Sequence, residues 1–143
     1  MIEYVNGFLF SPDRYHVALV LKNKPPWQAG HFNAIGGKKK PGETWLEAMA
    51  REFDEETGVH IKSWEHTLTL RGSEWELRFY RAFFPLVHAV QTMESETILV
   101  VPVDRIGHLG YVHGLHIIPN LAWALPLSLD DHLDFPVLAK EKA

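Results

Sequence analysis

The segment that most constrains the fold is residues 37–59, GKKKPGETWLEAMAREFDEETGV, because it contains the start, the body and the end of one amphipathic helix. Thr44 is a favourable N-cap, and Glu47 follows it at the spacing of a capping box. Gly58 stands where a left-handed residue would end the helix. The sequence therefore predicts a helix over residues 45–57, with a loop on either side.

The predicted helix separates its apolar residues from its acids. At about 100° per residue, one side carries the apolar residues Leu46, Met49, Ala50 and Phe53. The opposite side groups three carboxylates within about a 100° arc, Glu52, Glu55 and Glu56. Like charges at i,i+3 and i,i+4 destabilise a helix by a few tenths of a kcal/mol per pair. A hard divalent cation such as Mg²⁺ or Mn²⁺ would offset that repulsion, so the acidic face is a candidate metal site.

The segment before the helix suits a phosphate group. Gly36 and Gly37 allow the backbone to approach a ligand closely, and Lys38 begins a run of three lysines. Pro41 and Gly42 then favour a tight turn. The alternative is that the acidic face is the solvated face of an ordinary amphipathic helix.

Composition limits the class of protein. A chain of 143 residues is long enough for one domain and short for two, and 46% hydrophobic with 22% charged residues is an ordinary globular composition. The net charge of −4 gives no basic field for nucleic acid, and the absence of cysteine excludes disulfides and a thiolate nucleophile. No apolar run approaches 18 residues, so we expect no membrane partner and a cytoplasmic location.

Strand patterns surround the predicted helix. Residues 4–10 and 16–22 read as a hairpin, and residues 30–35 as a short strand that leads to the glycines. Residues 60–71 and 74–84 read as a second hairpin, and residues 98–103 as a further strand. Residues 120–133 predict a second helix with Asn120 as its N-cap, which Pro126 would kink or interrupt. We expect residues 138–143 to be a frayed tail or a polar helix end.

Several isolated residues have both a structural and a functional interpretation. Trp27 and Phe32 are either core aromatics or, with Asn33, part of a pocket wall. Arg78 and Arg81 are either ion-paired strand residues or phosphate ligands. Glu94 and Glu96 lie in a segment that reads either as a solvated turn or as a source of a further carboxylate. His108, His113 and His116 are interpreted as surface histidines rather than as a zinc site.

Residues 37–59 match the Nudix box, G-x5-E-x7-R-E-U-x-E-E-x-G-U, where U is an aliphatic residue. The nine matching positions are Gly37, Glu43, Arg51, Glu52, Phe53, Glu55, Glu56, Gly58 and Val59. Phe53 is the one loose fit, because the family mostly carries a branched aliphatic residue there. The chain therefore resembles the Nudix hydrolases, and this resemblance implies an α+β fold, an α/β/α sandwich in which a mixed sheet lies between helices.

The resemblance also implies roles for the residues that match the box. Glu52 and Glu56 would bind Mg²⁺ (or Mn²⁺), with Glu55 binding directly or through water and the Gly37 carbonyl as a further ligand. Arg51 would orient a carboxylate, with Glu43 as its partner. Many Nudix enzymes supply a further glutamate from a later loop, for which we favour Glu96 over Glu94. The base that activates water is then Glu52 or Glu96.

The resemblance implies hydrolysis of a phosphoanhydride in a nucleoside diphosphate linked to a group X. Signatures of the NADH and coenzyme A pyrophosphatases are absent, and Glu74 stands where ADP-ribose enzymes carry a proline. Nucleoside or deoxynucleoside triphosphates are therefore the leading substrates, with ADP-ribose, nucleotide sugars and dinucleotides as alternatives. Residues 119–126 resemble the last-helix region of MutT-type enzymes, in which the position of Asn120 reads the purine edge.

We expect Asn33, Lys38, Arg78 and Asn120 to contact the substrate. A module that senses nucleotides without turnover is the alternative from another class, and the three intact acids of the helix argue against it. The small-molecule nucleotide is the one partner that the sequence predicts; monomer and homodimer both stay open.

Overall fold

A computed structural model of the chain describes residues 1–106, 111–112 and 115–142. The described α-helices are α1 (Trp45–Thr57) and α2 (Leu121–Ser128). The described strands are β1 (Ile2–Phe10), β2 (His16–Leu21), β3 (His31–Asn33), β4 (Ile35–Lys38), β5 (Glu65–Arg71), β6 (Trp75–Phe83), β7 (Thr97–Pro102), β8 (Tyr111–Val112), β9 (Leu115–Ile117) and β10 (Val137–Lys140). Short 3₁₀ turns occupy Val87–Ala89 and Val103–Arg105.

The strands form one mixed sheet in the order β10-β5-β6-β1-β2-β3-β9-β8. β1 lies parallel to β6 on one side. On its other side, β1 pairs antiparallel with β4 near its start and with β2 near its end. β7 extends the sheet by pairing antiparallel with β2.

Alternation along the strands produces a core on each face of the sheet. On one face, α1 packs Met49 and Phe53 against Val5, Leu9 and other fully buried side chains. On the other face, α2 packs against a second cluster that contains four phenylalanines, Phe8, Phe10, Phe32 and Phe79. A mixed sheet between two helices is the predicted architecture, so the prediction of the fold class is confirmed.

The predicted bounds of α1 are confirmed, and so is its N-cap. The Thr44 hydroxyl accepts a hydrogen bond from the Glu47 backbone N–H at 3.1 Å, and Gly58 takes a left-handed φ of 73°. Leu46 is the exception to the predicted apolar face, because it is 51% exposed. The buried side of the helix centres on Met49 and Phe53, one turn apart.

Three predicted segments are wrong. The glycines after residue 35 do not form a loop: Gly36 and Gly37 belong to β4 and pair with Asn6 and Val5 of β1. The second helix ends at Ser128 rather than at residue 133, two residues beyond Pro126.

The third correction concerns the C-terminal tail. Residues 137–140 form the parallel edge strand β10 against β5, instead of a frayed end. Asn120 occupies the N-cap position of α2 as predicted, but its side chain makes no capping hydrogen bond.

None of the helices in the described part of the chain is long and apolar enough to cross a membrane.

Candidate functional site

The acidic face of α1 lies directly against the glycines of β4. A Cβ atom built on Gly37 would lie 2.6 Å from each of the three carboxyl atoms of Glu52, which is closer than real Cβ contacts. A residue larger than glycine would therefore displace that carboxylate. This close approach brings the β4 backbone next to the Glu52 carboxylate of α1.

Arg51 organises the acids on this face. Its guanidinium donates to both carboxylate oxygens of Glu43, at 3.0 and 2.7 Å, and to Glu52 at 2.9 Å. It also donates to Glu55 at 3.3 Å and to the Lys38 carbonyl at 3.1 Å. The hydrogen bonds from Arg51 lower the pKa of Glu43 to about 2, despite the opposing effect of burial. Arg51 thus joins α1 to the segment before it and fixes the direction of Glu52.

Glu56 is a partly buried acid that forms no ion pair with the described residues. Its Oε2 atom is buried and has no hydrogen-bond partner among the described residues. Burial first, and then the charge of Glu52, raise the pKa of Glu56 to about 8, and the charge of Lys22 opposes this only in part. Burial likewise raises the pKa of Glu52, against the opposing effect of Arg51. Arg51 thus compensates the charge of Glu52, whereas Lys22 compensates that of Glu56 only in part.

The segment after the 3₁₀ turn at Val87–Ala89 completes the acidic surroundings. The backbone N–H of Met93 donates to the Glu56 carbonyl at 3.1 Å, so this segment is fixed to the end of α1. The charges of Glu94 and Glu96 both contribute to the raised pKa of Glu56. Glu94 is exposed, whereas the Glu96 side chain is only 9% exposed.

Glu96 itself is neutralised by protein groups. It pairs with Lys22 at 2.8 Å and accepts hydrogen bonds from the backbone N–H groups of Asn23 and Lys24, at 2.6 and 3.4 Å. Burial alone would raise its pKa, but these partners lower it overall. Glu96 therefore influences Glu56 as a carboxylate that already accepts three hydrogen bonds.

The residues present suit a hard divalent cation. Within the described ranges, no three His, Asp or Glu side chains form a ready-made metal-binding set, because Glu52 and Glu55 are turned toward Arg51. Mg²⁺, however, is usually held by one or two protein carboxylates together with water and substrate phosphates. The unpartnered oxygen of Glu56 and the close approach of Glu52 to Gly37 provide such a partial set of oxygen donors.

A cavity of about 1190 Å³ opens beside this site, on the α2 face of the sheet. Its floor comes from β1, β4, β5 and β6, and its walls come from α2, from the segment between β2 and β3, and from the C-terminal tail. The cavity is lined by polar, charged and aromatic side chains that include Lys22, Trp27, Asn33, Asn120, Trp123 and Glu141. Gly36 and Gly37 also line it, so the cavity adjoins the acidic site.

Three of the four residues predicted to contact substrate line this cavity, namely Asn33, Lys38 and Asn120. Asn33 is already hydrogen-bonded, because its amide nitrogen donates to Gln28 and its oxygen accepts from the Ala34 N–H. The Oδ1 atom of Asn120, in contrast, is buried and has no partner among the described residues. The hydrogen-bonding capacity of this acceptor is thus unsatisfied by the described residues.

The fourth residue, Arg78, is not among the cavity-lining residues. It lies on the α1 face of β6, where its guanidinium stacks 4.0 Å above the Trp45 ring and donates to Glu76 at 2.9 Å. Arg81 is similarly engaged, with Glu65 and Asp131. Phe32 is fully buried, whereas Trp27 lines the cavity and is 65% exposed. His108 and His113 lie outside the described residues.

Sequence reasoning missed several cavity residues. Lys22 could have been noticed because it ends a predicted strand just before two prolines, but its partner Glu96 is 74 positions away. Trp75 and Leu77 belong to a strand whose alternation the sequence predicted. The sequence did not indicate that a cavity lies over this face of the strand. Glu141 gave no signal, because the tail was not predicted to be a strand.

Comparison with known proteins places this geometry in a family. A family model described as the NUDIX domain matches residues 3–109. No curated protein sequence matches the chain.

Three solved structures illustrate the similarity in fold. One, from a study of MutT of Aliivibrio salmonicida and Vibrio cholerae, is 18% identical with a TM-score of 0.71, covering 90% of this chain and 97% of that one. A MutT protein from Bacillus halodurans is 23% identical with a TM-score of 0.66, covering 88% and 80%. The NUDIX domain of Shewanella oneidensis NrtR, in complex with ADP-ribose, is 18% identical with a TM-score of 0.71, covering 91% and 89%.

Proposed function

The chain belongs to the Nudix family, and from this we propose that it hydrolyses a phosphoanhydride bond in a nucleoside diphosphate linked to a group X, with the help of Mg²⁺. The leading substrates are nucleoside or deoxynucleoside triphosphates, which would yield the monophosphate and pyrophosphate. The observation that carries the proposal is the buried, unpartnered oxygen of Glu56 on the same helix face as Glu52, whose neighbour Gly37 lines a cavity large enough for a nucleotide.

In this proposal, Glu52 and Glu56 hold the cation, with Glu55 and the Gly37 carbonyl as further ligands. When bound, the divalent cation screens the phosphate charges, lowers the pKa of water and stabilises the leaving oxygen. Arg51 keeps the Glu52 carboxylate in place through its pairing with Glu43, and so acts as a positioning residue. Lys22 and Lys38 line the cavity beside the acids and supply positive charge for the phosphate chain.

We assign activation of the attacking water to Glu52 rather than to Glu96. Glu96 accepts three hydrogen bonds, from Lys22 and two backbone N–H groups, whereas Glu52 accepts one described hydrogen bond, from Arg51. A base must be free to accept the proton of water within hydrogen-bond reach. In this assignment Glu96 positions Lys22, and Glu96→Gln reduces kcat by less than Glu52→Gln does.

The cavity supports a substrate with a planar organic half. Trp27 and Trp123 are large aromatic side chains that stay 65% and 42% exposed while lining it. Aromatic faces of this kind suit stacking against a nucleobase. Asn120 would then accept a hydrogen bond from the base edge through its Oδ1 atom, which has no partner among the described residues.

A substrate panel with Mg²⁺ tests the choice of substrate. We expect the highest kcat/KM for one of the nucleoside or deoxynucleoside triphosphates, with pyrophosphate as a product. The panel includes ADP-ribose, because the structurally similar NrtR domain binds it. A kcat/KM for ADP-ribose, a nucleotide sugar or a dinucleotide well above that of every triphosphate would overturn this choice.

Glu56→Gln tests whether the chain is an enzyme or a nucleotide sensor. We expect kcat to fall at least ~10²-fold, which is typical when a group that stabilises transition-state charge is removed. Glu47→Gln is the matched control, because Glu47 is an exposed acid in the first turn of the same helix and should leave kcat unchanged. Equal background rates in wild type and Glu56→Gln would favour the sensor.

A further inference from the structure

A row of side chains crosses four strands beneath the cavity. Leu70 of β5 is paired with Leu77 of β6, Leu77 with Tyr4 of β1, and Tyr4 with Lys38 of β4. All four residues line the cavity. Because neighbouring strands lie about 4.8 Å apart, the row is about 14 Å long. It forms an apolar floor that starts at a lysine beside the acidic site.

The C-terminal tail places a carboxylate at the other end of this row. Ala139 of β10 is paired with Leu70, and Glu141 follows Ala139 by two positions, which puts both on the same face of the sheet. The backbone N–H of Glu141 donates to the Arg71 carbonyl at 2.8 Å, so the main chain is held at this point. Glu141 lines the cavity together with Trp75.

The charge of Glu141 contrasts with that of the rest of the cavity. Among the described lining residues it is the one acid, and Lys22, Lys24 and Lys38 are the bases. No described residue donates a hydrogen bond to its carboxylate or forms an ion pair with it, although Arg71, Arg78 and Arg81 all have acidic partners elsewhere. Its side chain is therefore not needed to hold β10, which the backbone pairing already fixes.

Two lining residues thus carry an acceptor without a described partner, the exposed Glu141 carboxylate and the buried Oδ1 atom of Asn120. The amide of Asn33 is already engaged on both sides. An acceptor inside a binding site favours ligands that present an N–H group to it and disfavours analogues that lack one. A carboxylate does so more strongly than a neutral acceptor.

We propose that Glu141 is a specificity-determining residue, which accepts a hydrogen bond from an exocyclic amino group on the nucleobase that lies along the Tyr4–Leu77–Leu70 row. This inference rests on the proposed function and narrows it to nucleotides with amino-bearing bases. Trp75, beside the same end of the row, would cover the base.

Two pairs of nucleotides that differ in one amino group test the proposal. They are GTP against ITP, and ATP against purine riboside triphosphate. In the wild type we expect the amino-bearing member of at least one pair to have a kcat/KM about tenfold higher or more, mainly through a lower KM, which is the effect of one hydrogen bond to a charged group. In Glu141→Gln this preference should fall to within about threefold.

Glu74→Gln is the matched control, because Glu74 is an exposed acid next to β6 that does not line the cavity, and it should keep the wild-type preference. A wild type without preference in either pair, or a Glu141→Gln variant that keeps it, would overturn the proposal. Calorimetric binding of the same nucleotide pairs without Mg²⁺ tests the role of Glu141 in base preference separately from the proposed hydrolase activity. If nothing is turned over but the binding preference is present and Glu141→Gln removes it, the proposed function fails and this inference stands.

Discussion

Gly37 and Glu52 are the two residues whose contact defines the acidic site. The backbone of Gly37 approaches the Glu52 carboxylate so closely that no side chain fits between them. Gly37 is not among the described glycines with positive φ, so the need for glycine is one of space rather than of backbone conformation. A substitution of Gly37 should therefore affect the geometry of the acidic site more than the stability of the fold.

Gly37→Ala should therefore impair activity while leaving the protein folded. The three atoms nearest to the new methyl group all belong to the Glu52 carboxyl, so the side chain moves against its hydrogen bond from Arg51 while the backbone keeps its place. We expect the free energy of unfolding to change by less than about 1 kcal/mol, and kcat to fall by about 10- to 100-fold because a displaced catalytic group loses its alignment. Urea unfolding and steady-state kinetics measure the two effects. Full activity, or loss of folded protein, would contradict this account.

The contacts of Arg51 include one that the sequence predicted and one that it could not predict. The box predicted its pairing with Glu43, and the two hydrogen bonds between them are present. Its bond to the Lys38 carbonyl could not be predicted, because the bond depends on where β4 ends relative to α1. Local spacing along a helix is visible in a sequence, whereas contacts between elements depend on the folded backbone.

Strand β6 carries different chemistry on its two faces. Leu77 and Phe79 face the α2 side, whereas Glu76 and Arg78 lie on the α1 side, where Glu76 is 6% exposed. Glu76 pairs with Arg71 at 2.7 Å and with Arg78 at 2.9 Å. The predicted alternation of this strand was right, and it explains why Arg78 supports the fold on the side opposite the cavity.

The Glu76 pairing predicts a pH dependence of stability. Burial alone would raise its pKa, but hydrogen bonds from Arg71 and Arg78 lower it below the ordinary value of 4.5. A carboxyl with a lowered folded-state pKa stabilises the protein above its unfolded pKa, and this contribution is lost as pH falls through the folded pKa. We expect Glu76→Gln to lower the free energy of unfolding at pH 7 by about 1–3 kcal/mol, and the difference to shrink progressively as the pH falls below 4.5.

Urea unfolding of the wild type and Glu76→Gln between pH 3 and 8 measures this difference. Glu74→Gln is the control, since Glu74 is exposed and has no described ion pair. A difference between wild type and Glu76→Gln that stays constant over the whole pH range would show that the ion pairs are not its source.

The elements with strong local signals were predicted well, and those that depend on distant partners were not. α1 has both caps and an amphipathic face, and its bounds were predicted correctly. β4 and β10 were missed because a glycine pair and a short polar tail become strands only when β1 and β5 lie beside them. Pro126 was expected to disturb α2, and the helix ends two residues after it.

At the scale of the whole molecule, strand β4 brings the acidic site and the cavity next to each other. α1 covers one face and supplies the acids, while the cavity opens on the other face under α2. β4 lies between them, with Gly37 facing Glu52 and also lining the cavity. The arrangement would allow a phosphate chain to meet the acids while the organic half of the ligand lies along the sheet.

Cation binding measured by calorimetry tests the central claim most directly. We predict that the wild type binds Mg²⁺ or Mn²⁺ in the presence of a nucleotide, and that Glu56→Gln weakens this binding at least ~10-fold because it removes the unpartnered carboxylate. Glu47→Gln should bind as the wild type does. A wild type that takes up neither cation, with or without nucleotide, would contradict the account.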